Sequence, residues 1–211
     1  MITYTFLAVM ILFSGYCFMY PEMMHRYLFY PYYIKHNREH YRFLSHGFIH
    51  ANFMHLGFNA LALYSFGLPL EEVLFPYYFG EKLGKVYYIV LFTGGIYASS
   101  VSEYFRQRNN SEYTSLGASG AISSVLFSFI VMSPLTEVFL LFIPLKGWIA
   151  GLLLLGVSYL LILRKRAGKY NDGISHESHY AGAIFGILFT VALKPHLVLR
   201  LFQVITNSFS E

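Results

Sequence analysis

The sequence predicts an all-α membrane protein with six crossing helices, on three observations. Charged residues make up 12% of the 211-residue chain, about half the share of a soluble domain. Apolar and aromatic residues make up 56%. Six apolar runs stand between charged or aromatic borders, each near the roughly 20 residues that a helix needs to cross a bilayer. Most of the chain therefore lies where charge is costly.

The first span covers about 2–20. It lacks a basic start and a small-residue cleavage site, so it reads as a retained span and not as a secretory signal. Cys17, the only cysteine, lies within it as packing material. The second span, about 51–70, sits in the charge-free stretch Phe43–Leu70. The third, about 86–102, lies between Lys85 and Glu103. The fourth, about 118–133, ends at Ser133-Pro134. The fifth, about 147–163, lies between Lys146 and Arg164. The sixth, about 179–193, ends at Lys194-Pro195. All belong to one domain, 1–211. Tyrosine and phenylalanine crowd the flanks, as at Tyr27–Tyr30 and Tyr77–Phe79, which suits the bilayer interface.

Spans four and six are short and carry small residues. Gly182 and Gly186 form a pair four residues apart that lets another helix come close. With Gly117 and Gly120 they are the expected packing glycines, joining span four to span six. The loop 21–50 is long and holds many aromatic residues with Arg26, Arg38, Arg42, His25, His36 and His40. It is expected to fold as an aromatic-anchored, partly embedded structure. A net charge of +4 without a long basic block fits anionic lipid headgroups and excludes nucleic acid as the expected partner.

Parity places the polar residues. Even-numbered spans cross in one direction, so their N-terminal ends share a membrane face. His55 and Asn59 in span two, Ser119 at the start of span four and His179 at the start of span six therefore lie at similar depth on one side. Intramembrane polar groups are costly and face a cavity or one another. A serine hydroxyl becomes a nucleophile when a base takes its proton, and His179 is the available base. Amides at the start of a helix have no partner within it and can bond an oxyanion. His55 and Asn59, one turn apart, share a face and add donors.

Asp172 is the only aspartate. It precedes His179 in a loop, and a Ser–His dyad is the more economical arrangement. His46, His50 and His55 offer three zinc-type ligands. No His-Glu-x-x-His occurs and no carboxylate lies between His46 and Asn59. No metal and no cofactor is expected, and His46 and His50 are read as ties for the preceding loop.

Three motifs now stand in order. His46-x3-His50-x4-His55-x3-Asn59, Gly117-Ala118-Ser119-Gly120 and His179-x2-Gly182-x3-Gly186 together resemble the rhomboid family of intramembrane serine proteases, over about Tyr41 to Leu193. The resemblance implies a rhomboid-like bundle that cleaves peptide bonds in or beside transmembrane segments of membrane proteins. Ser119 would be nucleophile and His179 general base, with His55, Asn59 and the Ser119 amide on the oxyanion. Span five and the loop 164–178 would act as gate and cap. Substrate segments with helix-breaking residues would be favoured.

The chain departs from the family in two places. Tyr41-Arg42 stands where Trp-Arg is usual. Ser123 stands where an aromatic often packs on the catalytic histidine, and Tyr180 is the expected substitute. The resemblance also implies a bacterial inner membrane, with the active site opening to the outer face. The basic residues point the other way: ten of 15 fall on that side, from Arg26 to Lys169, against Lys82, Lys85, Lys146, Lys194 and Arg200. The family orientation is kept, with the loop arginines read as anchors. The competing expectation is a silent protein of the same fold that binds membrane-helix clients.

Overall fold

The structure is a computed structural model and describes residues 1–140, 142–169 and 172–208. Helices dominate it. α1 (Ile2–Met19) buries Thr3, Met10, Ser14 and Cys17 along one face. The long first loop is folded. α2 (Pro21–Tyr27), α3 (Pro31–Asn37) and α4 (Arg42–Ser45) each form a short helix, the first two opened by proline. Proline suits the first helical turn, where its missing N–H costs nothing.

Arg42, 4% exposed, holds this loop together. It donates to the Glu39 carboxylate at 2.6 Å and to the carbonyls of His25 and Leu28 at 3.0 and 2.9 Å. The tyrosines of Tyr41 and Tyr33 lie beside its guanidinium. Burial pushes the Glu39 carboxyl up, but the Arg42 hydrogen bond and charge outweigh that and hold it below the usual carboxylate range.

The second span runs further than expected. α5 (Phe53–Ala62) continues through π-helical turns at Leu63–Gly67 and Leu70–Leu74 into α6 (Phe75–Phe79), a single helical stretch Phe53–Phe79. Glu71 and Glu72 mark an end in the sequence, yet Glu71 is fully buried. Its carboxylate accepts from the amides of Ile2 and Thr3, at 2.5 and 2.8 Å, and from the Thr3 hydroxyl at 2.7 Å. It thus satisfies the first turn of α1 and matches the positive end of that helix.

α7 (Glu81–Gln107) extends the third span at both ends. α8 (Ser119–Met132) is short, and all of it except Ser119, Ser123 and Leu126 is buried. It packs on α10 and α7 and touches α5, α9 and α11 as well. A helix sheathed by protein on every side need not match the bilayer thickness.

An all-helical reading misses the next segment. β1 (Glu137–Leu140) and β2 (Ile143–Lys146) pair antiparallel in a hairpin, with Glu137 opposite Lys146 and Leu140 opposite Ile143. α9 (Gly147–Arg166) follows, then α10 (His176–Leu193) and α11 (His196–Asn207). α10 begins one turn before His179, because Ser175 caps it by accepting the Ser178 N–H at 3.3 Å. α11 turns away from α10 by 115°, after Lys194-Pro195. The expected cap loop 164–178 includes residues 170 and 171, which lie outside the described residues.

By length and composition, Ile2–Met19, Phe53–Phe79 and Gly147–Arg166 are able to cross a membrane, and α10 with α11 adds a fourth if the bent pair is one span. The middle of α7 is diluted by Tyr, Gly, Ser and Thr, and α8 is too short to qualify. The apolar criterion alone therefore does not reach six among the described residues.

Candidate active site

The first turn of α8 is set by the segment before it. The Phe29 N–H donates to the Ser115 carbonyl at 2.9 Å and the Ser115 N–H returns to the Phe29 carbonyl at 3.1 Å. Two residues on, the Gly117 N–H donates to the His46 carbonyl at 2.9 Å. The first loop and the residues leading to Ser119 are thereby stitched together.

Gly117 has φ +115°, and a Cβ there would stand 2.7 Å from the His55 ring. It precedes α8, and the group filling its empty side is the imidazole of His55 from α5. The other three glycines mark helix contacts. A Cβ on Gly120 would strike Ser99 of α7, one on Gly182 would strike the Gly120 carbonyl, and one on Gly186 would strike the backbone of Ser124. α10 thus lies directly on α8.

This close approach brings two side chains together. His179 Nε2 lies 2.7 Å from Ser119 Oγ, across 60 residues of sequence. Both are half-buried. The serine hydroxyl donates to the ring nitrogen when the imidazole is neutral at Nε2.

Asp172 accepts from His176 Nε2 at 2.8 Å, and the His176 ring stands edge-on to that of His179 at 6.1 Å between centroids. Tyr180, the aromatic expected beside His179, lies instead against Tyr159 of α9 at 6.1 Å.

His55 is half-buried at the start of α5, where Asn52 caps the helix by accepting the His55 N–H at 2.8 Å. The Ala51 N–H points at His55 Nδ1, at 3.5 Å. A ring that accepts at Nδ1 carries its proton on Nε2, which makes that nitrogen a donor. Asn59 is buried one turn on, and its amide nitrogen donates to the His55 carbonyl at 2.9 Å. That leaves one amide hydrogen for another acceptor.

His46 and His50 are structural ties. The Ser100 hydroxyl gives its proton to the Ile96 carbonyl, so His46 Nε2–H donates to Ser100 Oγ at 3.0 Å. Likewise Ser14 donates to the Phe48 carbonyl and accepts from His50 Nδ1–H at 2.9 Å. Both rings lie before the second span. Burial pushes His46 down to about 4. It pushes His50 down to about 3, with the neighbouring His55 adding to the effect. Among the described residues no cluster of three metal-type ligands forms.

A cavity of about 220 Å³ opens beside the start of α10. Glu103, Tyr113, Ile162, Lys165, Ser175 and His176 contribute to its lining. From the sequence Glu103 reads as a flank of the third span and nothing more. Its signal was its type alone: an acidic residue at the end of an apolar run.

The family described as Rhomboid domain matches residues 37–196. RHOMBOID-like protein 12, mitochondrial, from Arabidopsis thaliana, is 29% identical over 147 residues, which is 66% of this chain and 42% of that protein. Presenilin-associated rhomboid-like protein, mitochondrial, from Bos taurus, is 28% identical over 145 residues, covering 66% of this chain and 34% of that protein. The chain thus spans less than half the length of either relative.

Proposed function

The chain belongs to the rhomboid family, and from that premise we propose that it is an intramembrane serine endopeptidase acting through Ser119 and His179. The observation that carries this reading is the 2.7 Å hydrogen bond between Ser119 Oγ and His179 Nε2, made by residues on two different helices at the half-buried end of the bundle.

In the proposed reaction the Ser119 oxygen attacks a substrate carbonyl while its proton passes to His179 Nε2. The negative oxygen is met by the Ser119 amide, by His55 Nε2–H and by the remaining amide hydrogen of Asn59. As the C–N bond breaks, the imidazolium returns the proton to the departing amine. Water then attacks the acyl-serine, giving a proton to His179, and the serine regains its own. The substrate is a transmembrane segment of another protein, locally unwound so that its carbonyl is exposed. Span five, α9, is the flank past which it enters.

We read α1, the stretch Phe53–Phe79, α7, α8, α9 and α10 as six crossings; of the three that do not pass the apolar criterion by themselves, α8 is shielded by its neighbours. The pocket opens on the face that bears the N-terminal ends of the even spans. Both relatives are named as mitochondrial, which does not fit a bacterial inner membrane, so the proposal is confined to a multi-pass protein.

Labelling with a fluorophosphonate probe in detergent, with cleavage of a membrane-spanning reporter in liposomes, tests this. Ser119→Ala and His179→Ala are each expected to lose both signals and stay folded. A wild-type chain that takes no label and cuts nothing, yet retains a membrane-helix partner, would point to client binding instead.

A further inference from the structure

Glu103 is a carboxylate in the last turns of α7, and it is 1% exposed. A buried carboxylate is tolerated when hydrogen bonds replace its water. Here the donors come from two separate segments. The Ser115 hydroxyl donates to Glu103 Oε2 at 3.3 Å. The Ser175 hydroxyl donates to Glu103 Oε1. Tyr113 is hydrogen-bonded to the same carboxylate.

The positions of those donors are the point. Ser115 lies four residues before Ser119, in the segment already tied to Phe29. Ser175 lies four residues before His179 and is the cap of α10. Its oxygen accepts the Ser178 N–H at 3.3 Å, and its hydroxyl faces two acceptors, Glu103 Oε1 and, at 3.1 Å, Ser178 Oγ. The contact with Glu103 holds the cap, and hence the first turn of α10, against α7.

We infer that Glu103 is a positioning residue: one carboxylate on α7 fixes the approach segments of both Ser119 and His179 and so sets the distance between them. The inference rests on the dyad reading for its catalytic meaning. Glu103 is the side chain of α7 to which Ser115 and Ser175 are both hydrogen-bonded. Displacement of reacting groups by about 1 Å costs on the order of 100-fold in rate.

The test uses the full chain in liposomes with Glu103→Gln, which keeps the shape and one acceptor oxygen, and with Ser115→Ala and Ser175→Ala. Three signals are read: the rate of fluorophosphonate labelling, kcat and KM separately for a transmembrane reporter, and the nitrogen resonances of the His179 ring. Glu103→Gln is expected to label about 10- to 100-fold more slowly and to lower kcat to match, with KM unchanged. Each serine variant is expected to slow labelling in the wild-type background and to add no further loss when combined with Glu103→Gln. Losses that multiply in the combined variants, or labelling of Glu103→Gln at the wild-type rate, overturn the inference. Should Glu103→Gln not fold, the double variant Ser115→Ala with Ser175→Ala replaces it: both segments share an anchor, so its loss should be less than the product of the single losses. Failure of the dyad reading looks different, because the wild-type chain then takes no label. In that event the resonances still decide: a His179 signature unchanged in Glu103→Gln sinks the positioning role.

Discussion

At the scale of single residues, the site depends on what is missing as much as on what is present. Gly117 combines a positive φ with an empty side that the His55 ring fills. Gly117→Ala should cost about 1–3 kcal/mol in backbone strain and push His55 away from Ser119. Chemical unfolding and probe labelling of the same variant would measure both, and labelling at the wild-type rate would mean that His55 does not act on the oxyanion. Ser119, His179 and His55 were legible in the sequence because each sits in a spaced motif whose partners lie on other spans. Glu103 was not, since a carboxylate beside an apolar run looks the same whether it faces water or a buried hydroxyl. The bond between Asp172 and His176 was not anticipated, because a loop residue and a helix start four positions apart carry no spacing signal.

At the scale of elements, contact between α8 and α10 needs hydrogen in place of methyl at Gly120, Gly182 and Gly186. Gly182→Val should destabilise by about 3 kcal/mol, and it should part Ser119 from His179. A melting curve and a labelling rate that both match wild type would contradict that packing. Glu71 gives a second prediction. Glu71→Ala leaves the amides of Ile2 and Thr3 without their acceptor and should lower stability by about 2–3 kcal/mol, with the loss read as earlier unfolding of the purified protein in detergent. The spans at Ile2–Met19, Phe53–Phe79 and Gly147–Arg166 were readable because a helix that crosses lipid needs a long apolar stretch; the count of six is not reached by that criterion. The hairpin was hidden because Val138 to Ile143 is continuously apolar and shows no alternation. α11 was hidden by Lys194-Pro195, which reads as an end when it is a corner. The second span overran its expected end because the acceptors and donors around Glu71 come from α1, some 70 residues away.

At the scale of the whole molecule, His46 and His50 couple stability to pH. Each ring ties the segment ahead of the second span to another helix, His46 to α7 and His50 to α1. Both are neutral in the folded chain, with values held down at about 4 and about 3. In the unfolded chain they protonate below about 6.5. Their contribution is therefore complete above pH 6.5 and is lost as the pH falls toward 4, the unfolded state binding more protons in that interval. At pH 5 the loss should be about 2 kcal/mol for each ring. Unfolding measured at pH 7 and pH 5 should show it, and His50→Gln should reduce the difference. Equal stability at the two pH values would refute the coupling. The pairing of Phe29 with Ser115 has a mechanical corollary. A tug or tilt applied to the aromatic loop, as by a thinner or stiffer bilayer, travels along one rung of backbone and arrives four residues from Ser119, so on the proposed reading turnover would gauge the surrounding lipid.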